Sequence, residues 1–190
     1  MTFLNRYLEL EEIKDVRNFF LEKGNIKEYK KNDFFVRQGQ KHDYAGFIQK
    51  GGFRYLGYTS DGKEQIVGYS FEKDFVVDYG SFQGQKNAIV DVQAIKNSTV
   101  LCLSHDDLND FYQHHIKNIR GQLAETLFED IYSRLVSLYC DSPKERYLKL
   151  LAQYPDILSL VTLKEIASFI KVEPETLSRL RKKISLANKS

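Results

Sequence analysis

The sequence predicts an α+β fold, and three observations carry it. Residues 25–104 hold short runs rich in Val, Ile, Phe and Tyr between Gly, Asn, Asp and Ser punctuation, the pattern of many short strands. Ile116, Ile119, Leu123, Leu127, Ile131, Leu135 and Leu138 then step by three or four, which is the period of one long helix. Last, TLKEIASFIKVEPETLSRLRKKI at 162–184 reads as two short helices in succession. A chain of 190 residues, 42% hydrophobic, has enough apolar surface for a packed core, which excludes a disordered chain.

Element by element, Leu10, Ile13, Val16, Phe19 and Phe20 recur at helical spacing before Gly24, so residues 9–23 are expected to form an amphipathic helix with a glycine cap. DFFVRQGQ, YAGFIQKGGFRYLGYT, KEQIVGYSF, NAIVDVQAI and STVLCLS follow as strands of a sandwich, barrel or roll. TSDGKE supplies a hairpin turn in which Gly62 takes the positive φ that such a turn demands. After SHDDLNDF comes the long helix, roughly 25 residues and about 1.5 Å of rise per residue. A second apolar set, Phe128, Tyr132, Val136 and Tyr139, widens its stripe, so one side can pack on the β region while the other meets a second copy. Ser142, Pro143 and Glu145 open a further helix with a capping box and Pro155 ends it, which makes Cys140–Ser142 a hinge candidate.

The final stretch has the same local grammar. Thr162 and Glu165 form a capping box ahead of Ile166, Ala167 and Ile170; Lys171, Val172 and Glu173 make a turn; Pro174 opens a second helix. Leu177, Leu180 and Ile184 face inward. This is the helix-turn-helix arrangement, whose second helix enters the major groove of DNA. Residues 162–190 hold seven Lys and Arg against three Glu, a net charge of +4 within a chain of +2. A local basic face suits a polyanionic partner.

These motifs resemble the Crp/Fnr family of bacterial transcription regulators, whose helix-turn-helix runs T-x-x-E-I-A, then four or five residues, then E-T-x-S-R. Upstream, FVRQGQ, FIQKGGFRYL, DGKEQIVGY and KDFVVDYGSF resemble the turns and strands of that family's cyclic-nucleotide-binding β-roll. The resemblance implies a β-roll sensor domain at 1–115, a dimerisation helix at 116–140 and a DNA-binding domain at 141–190. It further implies base contacts from Glu175, Ser178 and Arg179, Glu to cytosine N4 and Arg in bidentate fashion to guanine. Thr162, Thr176, Arg181, Lys182 and Lys183 are assigned to phosphates, where they set register. A homodimer joined along Ile116, Ile119, Leu123, Leu127, Ile131, Leu135 and Leu138 would present two reading helices to a palindromic double-stranded site, about 34 Å apart. RNA polymerase and a small-molecule effector are the other partners that the resemblance implies.

Three departures from the family pattern stand out. Lys171 occupies a turn position where the family often has Gly. Only SLANKS follows the second helix, so most of the β-hairpin wing is expected to be missing. In the nucleotide cassette, Val77 stands at the Gly, Asp78 at the Glu and Ala88 at the Arg that meets the cyclic phosphate, with Lys86 nearby. Lys does not replace Arg at a bidentate site, so this degenerate pocket is expected not to take cyclic AMP, and no cofactor is assigned. Iron–sulfur ligation is excluded by only two cysteines, Cys102 and Cys140. Adjacent His114 and His115 point about 100° apart on a helix and cannot share a metal; with His42 and His105 they are expected on the surface.

Nothing in the sequence resembles a catalytic triad, a carboxylate pair or a phosphate-cradling loop, so an enzyme is not expected. No apolar run approaches the length that spans a bilayer, and MTFLNRYLELEE lacks a secretion pattern. A cytoplasmic regulator follows. The competing expectation is a ligand-binding or protein-interaction module whose last helices contact a partner protein.

Overall fold

The computed structural model describes residues 4–115 and 117–187. A 3-10 turn (Arg6–Glu9) and helix α1 (Ile13–Lys23) precede eight strands: β1 (Asn25–Tyr29), β2 (Phe34–Val36), β3 (Tyr44–Lys50), β4 (Gly52–Tyr58), β5 (Glu64–Phe71), β6 (Phe75–Val76), β7 (Asp91–Ala94) and β8 (Ser98–Ser104). A short α2 (Tyr79–Gln83) lies between β6 and β7. Helices then follow: α3 (His105–His114), α4 (Ile119–Cys140), α5 (Pro143–Gln153), α6 (Ile157–Leu160), α7 (Leu163–Phe169) and α8 (Pro174–Ala187). Among the described residues no strand follows α8, and no helix is long and apolar enough to cross a membrane.

The strands form two antiparallel four-stranded sheets, ordered β1-β8-β3-β6 and β2-β7-β4-β5. Val36, Ile48, Phe53, Val92, Val100 and Cys102 fill the space between them, all buried. A second cluster packs α1, α3 and the start of α4 onto the outer face of the first sheet, through Val16, Phe20, Phe47, Phe75, Leu101, Leu108, Ile119 and Leu123. Compactness divides the described residues into one unit within 5–127 and a second that holds residues 128–187 with residue 4. The division falls inside α4, between Leu127 and Phe128.

Local chemistry explains the element ends. Gly62 has φ of 79° in the β4–β5 turn, closed by Gly62 N–H donating to Thr59 O at 2.8 Å, as the turn chemistry predicts. Gly24 does end α1, but for a different reason. Its φ is −69°, which any residue can adopt. What excludes a side chain is space: a Cβ would sit 2.5 Å from Phe20 O and 2.9 Å from Leu101 Cβ. Leu10 lies before α1, in the turn that links it to the 3-10 segment.

Two expectations are corrected by burial. The α4 stripe is shared between two environments rather than presented whole to a second copy. Ile119 and Leu123 are buried in the core of their own chain, which leaves them unavailable to a partner, and Leu127 packs against that core half-buried. Ile131, Leu135 and Leu138 remain 67%, 47% and 37% exposed; Ile116 lies outside the described residues. His42, expected at the surface, is buried with its ring near Phe35 and Phe82 and its Nδ1 3.3 Å from Tyr44 O.

Candidate nucleic-acid interface

The candidate surface is built from capped helices. Ser142 and Glu145 complete the capping box of α5, with Pro143 in its first turn, and Thr162 and Glu165 complete that of α7. Between α7 and α8 the chain turns through Ile170–Glu173. Val172 N–H donates to Ala167 O at 2.9 Å and Lys171 N–H to Ser168 O at 3.1 Å, the paired bonds of a Schellman cap. Lys171 supplies the left-handed residue of that cap, with φ of 57°. The turn therefore keeps the geometry a glycine would adopt and accepts a side chain there, at a cost of about 1 kcal/mol.

Beneath the turn, Ile157, Ile166, Ala167 and Leu177 are almost fully buried, and Ala167 lets α7 and α8 approach closely. Leu180 and Ile184 are half-buried on the same side as Leu177. On the opposite side, Glu175, Ser178, Arg179, Lys182 and Lys183 are all exposed. Their spacing of i, i+3, i+4, i+7 and i+8 makes one continuous stripe along α8. Among the described residues no ion pair joins Glu175 to Arg179, so both side chains are open to an incoming ligand. Thr176 and Arg181 flank the stripe and are half-buried. Thr162 is exposed, but its hydroxyl donates to Glu165 Oε2 at 2.8 Å and accepts the Glu165 N–H at 3.3 Å. Its side chain thus has no free donor for the phosphate contact expected of it.

Sequence reasoning passed over Arg146 on α5. Its Nη1 donates to Asp141 O at 2.6 Å, its Nε to Ile170 O at 2.8 Å and its Nη2 to Lys171 O at 3.3 Å. The acceptors lie just past α4 and in the α7–α8 turn. Asp141 is held from other directions too: Lys149 Nζ lies 2.6 Å from its Oδ2 and Ser137 donates to the same oxygen. The Lys149 bond, reinforced by Ser137, keeps the Asp141 carboxyl below the usual range. The Arg134 guanidinium sits 3.8 Å over the Phe169 ring, a cation–π contact from α4 to α7.

At the positions of the expected effector pocket, polar groups bond to neighbours within the protein. Asp78 is buried, and its Oδ2 accepts Ser81 Oγ–H at 2.9 Å and the Ile89 N–H at 2.8 Å. Ala88 is buried between the sheets, its N–H donating to Gln40 O and its carbonyl accepting Gly39 N–H, both at 2.8 Å. Val77 packs against the hydrophobic cluster below α1. Lys86 points to solvent. No basic side chain of the four expected positions therefore reaches into the cassette. Among the described residues no group of His, Cys, Asp and Glu is placed to hold a metal.

Comparison with known proteins agrees with this architecture. Residues 26–115 match the cyclic nucleotide-binding domain family. Over 185 residues, covering 90% of this chain and 87% of the relative, the sequence is 24% identical to the cAMP-activated global transcriptional regulator CRP of Salmonella typhimurium. The fold is similar to FixK2 from Bradyrhizobium japonicum, with TM-score 0.75, 15% identity and coverage of 87% of this chain and 86% of that one. It is also similar to the global regulator CLP of Xanthomonas campestris, with TM-score 0.68, 17% identity and coverage of 92% and 93%. Residues 26–115 thus carry a cyclic nucleotide-binding domain, and over nearly its whole length the chain is similar to regulators of the kind that the resemblance to the Crp/Fnr family implies.

Proposed function

We propose that the chain reads a two-fold symmetric DNA site as a homodimer, through α8, and that it does so without cyclic AMP. The observation that carries the reading is the exposed stripe of Glu175, Ser178, Arg179, Lys182 and Lys183 on the second helix of a helix-turn-helix. Glu175 and Arg179 have the donor and acceptor chemistry for base edges, and Lys182 and Lys183 both lie one turn beyond Arg179, where phosphates flank the groove. The second copy is proposed to pack on the later half of α4, where Phe128, Ile131, Tyr132, Leu135 and Tyr139 are exposed. An apolar helix face of that size on a polar protein is the signature of an interface.

For the β domain, the chemistry argues against a cyclic nucleotide. A phosphate entering the cassette would meet the buried Asp78 carboxylate and find Ala88 in place of an arginine. Like charges in a buried site repel strongly. Selection of bound duplexes from a random pool by the full chain tests the proposal. A palindromic consensus is expected. Arg179→Ala should lower affinity for it by about ten- to a hundredfold and relax one position. Lys182→Ala should weaken all duplexes alike and reduce the salt dependence by about one counterion. Unchanged binding in Arg179→Ala would instead favour a protein partner for α8. Light scattering that finds a monomer on the duplex would defeat the dimer.

A further inference from the structure

Helix α8 can read bases only if its angle to the preceding helices is held, and the turn before it contains a strained residue. Three backbone carbonyls bear on that angle. Asp141 O lies just past the end of α4, and Ile170 O and Lys171 O lie at the end of α7. Carbonyls at helix C-termini lack intrahelical donors and carry partial negative charge. All three point at one guanidinium, that of Arg146, at 2.6, 2.8 and 3.3 Å.

We propose that Arg146 is the positioning residue of the reading helix: it ties the end of α4 to the α7–α8 turn, so that both move as one body. A planar fork with donors on three sides suits three acceptors on two segments, whereas a lysine ammonium cannot span them. Asp141, gripped by Lys149 and Ser137, and Arg134 stacked on Phe169 brace the same junction. The stretch Cys140–Ser142, a hinge on sequence grounds, is therefore a strut. Without the tie, a tilt of about 10° at the turn would shift the backbone at Arg179, five residues into α8, by roughly 1 Å, more than the ~0.5 Å a preorganised contact tolerates. A displacement delivered to the later half of α4 would pass undamped to Glu175 and Arg179. This inference rests on the DNA-reading role proposed above.

The test compares Arg146→Met and Arg146→Lys with the wild-type full chain. Two readouts are taken: the affinity ratio between the selected palindrome and a scrambled duplex, and amide exchange at Lys171 and Val172. Both variants should keep scrambled-duplex affinity within about twofold, since phosphate contacts are unchanged. Both should lose about tenfold or more of the ratio, with faster exchange at the two amides. An unchanged ratio, or full recovery in Arg146→Lys, would overturn the proposal, because charge alone would then suffice. Should Arg146→Met fail to fold, Arg146→Lys decides on the same criteria. If the wild type prefers no duplex, the DNA-reading role fails, and exchange alone judges the tie: unchanged exchange defeats it.

Discussion

The buried aspartates of one compact unit and the α8 stripe of the other hold their charges in opposite ways. In residues 5–127, Asp74, Asp78 and Asp91 are buried, and each is met by donors from the same unit. Asp74 accepts from Asn5 Nδ2 and Phe75 N–H, both at 2.6 Å, and from the Tyr7 hydroxyl. Asp91 accepts from Gln38 N–H at 2.6 Å and from the Tyr58 hydroxyl at 2.5 Å. In the helical unit, Glu175, Arg179, Lys182 and Lys183 are exposed and unpaired among the described residues. A ligand site needs groups whose hydrogen bonds are still unspent. The buried aspartates of the β domain are closed on donors of their own unit, whereas α8 keeps its charged groups open.

The contrast can be broken on either side, and the largest effect is expected at Asp74. Burial pushes its carboxyl up to about 6, against the lowering influence of Tyr7 and Asn5. The folded chain thus holds this proton to higher pH than the unfolded chain, whose Asp titrates near about 3.9. The stabilising contribution is complete below about pH 4 and is lost as pH rises through about 6, a change of roughly 2–3 kcal/mol. Urea midpoints measured from pH 4 to pH 7 should show this falling component in the wild type and not in Asp74→Asn. Next in size, Asp78→Ala strands the Ile89 N–H and should destabilise the β unit by about 2 kcal/mol. Glu175→Ala, by contrast, should stay within about 0.5 kcal/mol. Equal effects in those two variants, by denaturant melts, would erase the distinction between closed and open charges. Between those two in size, Lys171→Gly relieves the left-handed backbone and should stabilise the helical unit by about 1 kcal/mol.

What the sequence made legible was local. Capping boxes at Ser142 and Thr162 and the Gly62 turn depend on residues within a few positions of one another, and each stands as read. Strand β1 escaped notice because Lys27 and Glu28 break its apolar run, although it pairs with β8 from Asn25 to Tyr29. Periodicity marks which side of α4 is apolar and says nothing of what covers it. Ile119 and Leu135 share one stripe, yet the first is 2% exposed in its own core and the second 47%. Lys171 in a left-handed cap runs against its own propensity, so only the backbone reveals it. Arg146 binds main-chain carbonyls up to 25 positions away, and a backbone acceptor leaves no mark in a sequence.

The account turns on the DNA-reading role proposed for the open stripe of α8 and on the proposal that the β domain does not take cyclic AMP. Fluorescence anisotropy of the selected duplex, titrated with the full chain in the presence and absence of cyclic AMP, measures both together. The prediction is tight binding without the nucleotide, no change on adding it, and loss of the preference in Arg179→Ala. Binding that appears only with cyclic AMP, or that survives Arg179→Ala intact, would contradict it.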